Sequence, residues 1–345
     1  MPSLLNEVLD RLLSGGNLTE ALAASTLAAL AEPDCPPALA GAVLAALRMK
    51  GETAEEIRGF AGAMRDLARR PDSCRREGLT DIVGTGGDGS GSLNLSTGTA
   101  LLAAACGVPV MKHGNRSVSS RSGSADVLES LGMKLPLDEG AAARCLDETG
   151  FSFLFAPYYH PAMKSVAGVR GAMGVRTIFN VLGPLTNPAA PPFGLIGAYD
   201  PDVAELMAES LAGTEIERAF VVHGDPGWDE ATPVGPFLLF DVTPGRVERI
   251  VRDPLEWGLG RCKAEDLAGG DADHNAQRIR AVFSGSEHGP HRDALILGAA
   301  LVLELTGRAG GVTEAADRAA TALDQGAAAA LLDAIRGFAG REASR

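Results

Sequence analysis

Three observations predict an α/β chain with a small helical N-terminal domain and a large domain around a mostly parallel central sheet. Positions 1–72 carry helical periodicity alone, strands and helices alternate from about 79 onward, and glycine-rich polar segments follow the first two strands. The helical domain is placed at 1–72, joined by helices from about 160–190, and the α/β domain at 79–340.

Leu4, Leu5, Val8, Leu9, Leu12 and Leu13 recur at helical spacing, and Gly15-Gly16 closes that first helix. Asn17 or Thr19 caps a second helix, and a third runs from Pro37 to Lys50 with Gly51 as its stop. Thr53 and Glu56 form a capping box that opens a fourth through Ile57, Phe60 and Met64. Helices with apolar stripes and no sheet of their own must pack on each other, on the rest of the chain or on another subunit. The charged, irregular stretch 71–78 reads as a linker.

Beyond it, strands are expected at 81–83, 108–111, 151–156, 193–198 and 219–223. Helices are expected at 97–106, 122–131, 138–149 and 202–211 between them. Alternation of this kind builds parallel strands covered on both faces. Alternating residues around Pro244-Gly245 predict a β-hairpin over 237–251. Helices at 275–283, 291–305 and 314–324 close the domain.

Composition narrows the function. The 345 residues are 46% hydrophobic and 22% charged, an ordinary balance for a soluble globular protein. A net charge of −13 argues against a nucleic-acid binder, which normally presents a basic face. Cys35, Cys74, Cys106, Cys145 and Cys262 are scattered and include no CxxC pair, so neither a zinc site nor a disulfide framework is indicated. No signal peptide and no membrane span are expected, which points to a cytoplasmic protein.

Two segments carry the chemistry. Gly84-Thr85-Gly86-Gly87-Asp88 follows a strand, and glycines there let backbone N–H groups approach an anion. Alone, a structural turn explains this loop equally well. Asn94, Ser96 and Thr97 sharpen it, because a helix cap needs only one short polar residue. Lys112-His113-Gly114-Asn115-Arg116 is expected to leave the second strand at its C-terminal end, the edge where open α/β sheets bind ligands. Lys112 and Arg116 suit phosphate, and Asn115 suits an amine or carboxylate. His113 read alone is more often a structural histidine than a catalytic one. Asp229-Glu230 follows a strand; adjacent loop carboxylates are ordinarily just solvated, but beside a polyphosphate they suit Mg²⁺. Arg170 fits a substrate carboxylate, and a helix-surface arginine explains it as well. The run 176–188 reads as scaffold at the hinge between the domains.

GTGGD at 84–88, NLST at 94–97, KHGNRSVSS at 112–120, SGSADVLE at 122–129, HPAMK at 160–164, RTIFNVLGPLTNP at 176–188 and DE at 229–230 are similar to one family. LRMKGET at 47–53 and GGDADHNA at 269–276 add to them. In these motifs, in order along essentially the whole chain, the sequence resembles the anthranilate phosphoribosyltransferases of tryptophan biosynthesis. The resemblance implies a nucleoside phosphorylase/phosphoribosyltransferase-like fold and a homodimer paired through the helical domain. It implies transfer of phosphoribose from phosphoribosyl pyrophosphate (PRPP) to the amine of anthranilate.

Position by position, it implies that Gly84, Gly87, Asp88, Ser92, Asn94, Leu95, Ser96 and Thr97 hold PRPP. Lys112, His113, Gly114, Asn115, Arg116, Ser117, Val118, Ser119, Ser120 and Ser124 complete that site. Gly84, Asn115 and Arg170 contact anthranilate, with His113 and His160 lining its channel, and Ser96, Asp229 and Glu230 bind Mg²⁺. Leu93, Trp228, Gly298 and the Tyr158-Tyr159 pair depart from the family's usual residues, and none removes a ligand-contacting group. The implied displacement runs through an oxocarbenium-like transition state. Because the aryl amine is neutral near pH 7, it needs no dedicated acid or base. The competing expectations are a pyrimidine-nucleoside-phosphorylase-like enzyme and a non-catalytic nucleic-acid-binding paralogue.

Overall fold

The computed structural model describes residues 2–72, 77–117 and 121–343. Four helices come first: α1 (Pro2–Leu13), α2 (Glu20–Ala31), α3 (Pro37–Lys50) and α4 (Ala54–Asp66). Their ends follow local chemistry. The Thr19 hydroxyl accepts from Leu22 N to open α2, and the Thr53–Glu56 capping box opens α4. Glu56, fully buried, also accepts from Leu18 N at 2.8 Å and pairs with Lys50 at 2.9 Å. One carboxylate therefore ties three of the helical segments together.

The α/β part continues with β1 (Thr80–Gly84), α5 (Leu95–Ala105), β2 (Val110–Gly114), α6 (Ser124–Ser130), α7 (Glu139–Thr149) and β3 (Phe151–Phe155). Three short helices follow, α8 (Ala156–Tyr159), α9 (Lys164–Met173) and α10 (Phe179–Leu182). Then come β4 (Phe193–Gly197), α11 (Pro201–Ala212), β5 (Arg218–Gly224), β6 (Phe237–Thr243) and β7 (Arg246–Arg252). Helices α12 (Ala272–Phe283), α13 (Pro290–Leu305), α14 (Val312–Asp324) and α15 (Ala327–Glu342) finish the chain. The seven strands are ordered β3-β2-β1-β4-β5-β6-β7. The first five are parallel, and β5-β6-β7 are antiparallel at one edge. This is the fold class that the sequence predicts.

Alternation along the strands divides the interior in two. Ile82, Leu195, Phe220 and Val222 face a core shared with α5, α13, α14 and α15. Ile196, Ala219, Val221, Phe240 and Val242 face the other side, where α11 lies. That second core runs on through Val166, Ile178 and Leu182 into Leu27, Leu44, Leu47, Ile57 and Phe60 of the helical part. Tyr158 is a further clamp: its hydroxyl donates to Glu139 at 2.9 Å while Arg69, just beyond α4, stacks on its ring at 4.6 Å.

Two expectations need correction. The second strand does not stop at Met111; it continues through Gly114, in register with Phe151–Phe155 of β3. Met111, Lys112 and His113 are buried among neighbouring strands, so a basic loop signature had concealed strand residues. The helix α15 was also unforeseen, because alanine and glycine blur its apolar stripe although Leu331, Leu332, Ile335 and Phe338 mark it. Among the described residues no helix is long and apolar enough to cross a membrane. Cys35, Cys106, Cys145 and Cys262 are free thiols, and Cys74 lies outside the described residues.

Candidate active site

The parallel strands order as β2 and β3 on one side of β1 and β4 and β5 on the other, so the crossing direction reverses between β1 and β4. A crevice at the C-terminal ends of the strands is the place where such sheets hold ligands. Four strands end there in glycine, and the close approach of one loop explains those of β1, β4 and β5. A Cβ on Gly197 would lie 1.5 Å from the backbone oxygen of Asp229, and one on Gly224 would lie 2.0 Å from that of Glu230. A Cβ on Gly84 would meet Asp229 Oδ2 at 2.3 Å. The Asp229-Glu230 loop is laid directly across the strand ends.

Both carboxylates then reach into neighbouring backbone. Asp229 Oδ2 accepts from Gly86 N at 2.6 Å, and Glu230 Oε1 accepts from Ser96 N at 2.9 Å in the first turn of α5. Burial, with Asp88 beside it, pushes the Asp229 carboxyl up to about 7. Burial, with Asp229 and Asp88 nearby, raises Glu230 well above the usual carboxylate range. Lys112, 2% exposed, lies beneath them, its Nζ donating to Ile82 O and, at 3.4 Å, to Ser96 Oγ. Burial lowers its pKa, while Asp81, Glu230 and Asp229 pull it back. Buried negative charge here exceeds positive, which a divalent cation offsets. Among the described residues no three His, Cys, Asp or Glu side chains form a metal cage by themselves. That fits Mg²⁺, which takes one or two carboxylates together with water and phosphate oxygens.

The glycine loop supplies donors. Thr85 N donates to Gly197 O at 3.0 Å and Gly86 N to Asp229, whereas Ser90 N turns back to Asp88 Oδ1 at 3.0 Å. Among the described residues the N–H groups of Gly87, Asp88 and Gly89 have no protein partner. With φ of +72° at Gly87, this backbone forms the kind of concavity that takes an anion.

The other expected residues fall into three sets. Ser92 and Asn94 lie at the approach to α5, where Leu93 N donates to Leu267 O at 2.9 Å. Leu95 and Thr97 are buried, and among the described residues the Thr97 hydroxyl has no partner. Asn115 is exposed beyond β2, and its backbone oxygen accepts from Ser124 Oγ at 3.2 Å. Gly114 is crowded by Ser124 Oγ and the Phe153 ring. Arg116 does not stand free: Asp126 and Glu129 hold it at 2.7 and 2.6 Å. Ser117 N donates to Asp126 at 3.2 Å, and Val118, Ser119 and Ser120 lie outside the described residues.

His113 and His160 form a buried edge-to-face pair with ring centroids 5.1 Å apart. Burial holds both neutral, lowering His113 to about 3 and His160 to about 4. Arg170 on α9 stacks on Phe179 at 5.0 Å and, among the described residues, makes no ion pair. Burial lowers its pKa. A part-buried guanidinium without an anion is a ready partner for a carboxylate.

Sequence reasoning assigned no specific role to Asn275 or Ser122, although both lie in segments it singled out. Asn275 Nδ2 donates to Asn94 Oδ1 at 2.7 Å and to Ser122 Oγ at 3.0 Å, so these two fix the side chain of Asn94. The GGDADHNA segment was the available signal, but nothing local in it indicates a contact with a residue 181 positions away.

Comparison with known proteins bears on the family and the fold. Residues 76–329 match the glycosyl transferase family, a/b domain, and residues 6–68 match the glycosyl transferase family, helical bundle domain. An anthranilate phosphoribosyltransferase of Desulforudis audaxviator is 46% identical over 94% of this chain and 93% of its own. The crystal structure of the Thermus thermophilus enzyme superposes with a TM-score of 0.90 at 42% identity, over 96% of this chain and 99% of that one. The Saccharomyces cerevisiae enzyme in complex with PRPP and Mg superposes with a TM-score of 0.89 at 25% identity, over 99% of both chains. Its complex with 4-fluoroanthranilate gives 0.86 at 25% identity, over 99% of this chain and 98% of that one.

Proposed function

This chain belongs to the anthranilate phosphoribosyltransferase family, and from that premise we propose how its own residues carry out the transfer. It moves the phosphoribosyl group of PRPP to the amine of anthranilate, giving N-(5-phosphoribosyl)anthranilate and pyrophosphate in tryptophan biosynthesis. The observation that carries the site reading is the pair of buried carboxylates tied to the glycine loop and to α5 through Gly86 N and Ser96 N.

The free N–H groups of Gly87, Asp88 and Gly89 bind pyrophosphate oxygens, with Ser92, Asn94 and Ser96 beside them. Asp229, Glu230 and Ser96 are the residues that would hold Mg²⁺, which when bound supplies charge to the leaving pyrophosphate. Lys112 acts from below, keeping the carboxylates and Ser96 in place rather than touching solvent. Arg170 grips the anthranilate carboxylate, and the Asn115 amide, exposed beyond β2, orients the amine. The neutral His113–His160 pair lines the acceptor side. No side chain need remove a proton before attack, because the aryl amine already carries its lone pair. Catalysis rests on orientation and on preorganised charge around the departing group.

A cytoplasmic homodimer paired through the helical domain completes the reading. Support comes from Leu13, Met49 and Val175, which are 71, 89 and 55% exposed on or beside the helical part. The deciding assay follows loss of anthranilate fluorescence with PRPP and Mg²⁺. Turnover is expected, and folded protein without turnover would sink the assignment.

A further inference from the structure

Arg176 lies in the connector between α9 and α10 and belongs to neither ligand's set of residues. Its Nη2 donates to the carbonyl of Gly87, and its guanidinium lies 3.6 Å over the Tyr199 ring. Tyr199 is itself fixed, because its N–H donates to Thr85 Oγ1 at 3.1 Å. On the other side, Arg48 of α3 donates to the Arg176 carbonyl at 2.8 Å. Among the described residues Arg176 makes no ion pair.

Three consecutive loop residues are thus tied to three separate elements. Thr85 is tied to the start of the β4–α11 connection, Gly86 to Asp229 and Gly87 to Arg176. The third tie matters most where the chain is freest. Positive φ at Gly86, Gly87, Gly89 and Gly91 marks a segment with large conformational freedom, which a bound anion would otherwise have to remove.

We propose that Arg176 is a positioning residue: by holding the Gly87 carbonyl it presets the loop for PRPP and links it to α9, which carries Arg170. The proposal rests on reading the loop as the PRPP site. Arg176→Ala is expected to weaken PRPP binding about tenfold, about 1.4 kcal/mol, by titration calorimetry with Mg²⁺. The PRPP KM is expected to rise in parallel, with kcat and the anthranilate KM within about twofold. Arg176→Lys retains a donor and recovers part of the affinity, and Tyr199→Phe, which keeps the ring, binds as the parent does.

Unchanged PRPP affinity in Arg176→Ala would overturn the proposal. So would an anthranilate KM that rises as much as the PRPP KM. If Arg176→Ala misfolds, Arg176→Lys carries the measurement, and a PRPP KM equal to the parent's together with a raised anthranilate KM overturns it. Failure of the unmodified protein to bind PRPP at all would instead refute the underlying site reading.

Discussion

Arg170 is the clearest single residue, a part-buried guanidinium with a ring beneath it and, among the described residues, no anion beside it. Replacing it with alanine removes charge-assisted bonds to the acceptor alone. Such bonds are worth about 1.5–3 kcal/mol. The anthranilate KM is therefore expected to rise at least tenfold while the PRPP KM stays within about twofold. Equal effects on both substrates would refute the assignment. Asp229 makes the opposite kind of case, since its charge is held out of water beside Asp88. Asp229→Asn keeps an oxygen for Gly86 N and removes one like charge. In chelator-containing buffer it is expected to raise Tm by about 1–2 °C, the shift that about 1 kcal/mol gives a protein of this size. Turnover is expected to collapse at the same time. An unchanged Tm with full activity would show that the carboxylate is neither repelled nor used.

At the level of elements, the site is a loop laid across the ends of strands, and Gly197 is where contact is tightest. Gly197→Ala places a methyl against the Asp229 backbone, which cannot rotate away as a flexible side chain could. Loss of soluble protein or of PRPP binding is expected. Gly62→Ala in α4, where a Cβ meets nothing within 4 Å, serves as the control and is expected to be tolerated. Equal behaviour of the two variants would refute the close-approach account. These elements were unevenly legible. Caps announced themselves, as Thr53 with Glu56 shows, because capping is local. The end of β2 did not, because Lys112 looks like a loop residue until Ile82 O and Ser96 Oγ are placed over it. Arg116 read as a phosphate ligand because its partners Asp126 and Glu129 approach only once α6 is folded. The role of Asn275 rests on a tertiary contact and leaves no local pattern.

For the whole molecule, the buried histidine pair sets a slope of stability against pH. Both folded pKa values, about 3 and about 4, lie below the unfolded value of about 6.5. Between those limits the unfolded chain binds more protons at these two sites, so the histidines' contribution to stability falls as pH falls below about 6.5. Each histidine contributes about 2 kcal/mol of that loss at pH 5 relative to pH 7 or above. Asp81, Asp229 and Glu230, all raised by burial, act in the opposite sense, and their effect is common to parent and variant. His160→Gln is expected to lose about 2 kcal/mol less than the parent between pH 7 and pH 5 by urea unfolding. Parallel losses would show that His160 titrates normally.

The second core has a different consequence, one for engineering. It runs without a break from Phe60 and Leu47 through Ile178 to Val221 and Phe240, so the N-terminal helices own no interior of their own. Exchanging them with those of a relative would split one packed interior between two ancestries. A chimaera joined at the linker is then a graft through the middle of a core, and its fitness depends on matching side chains on α9, α10 and α11 that lie far from the junction in sequence.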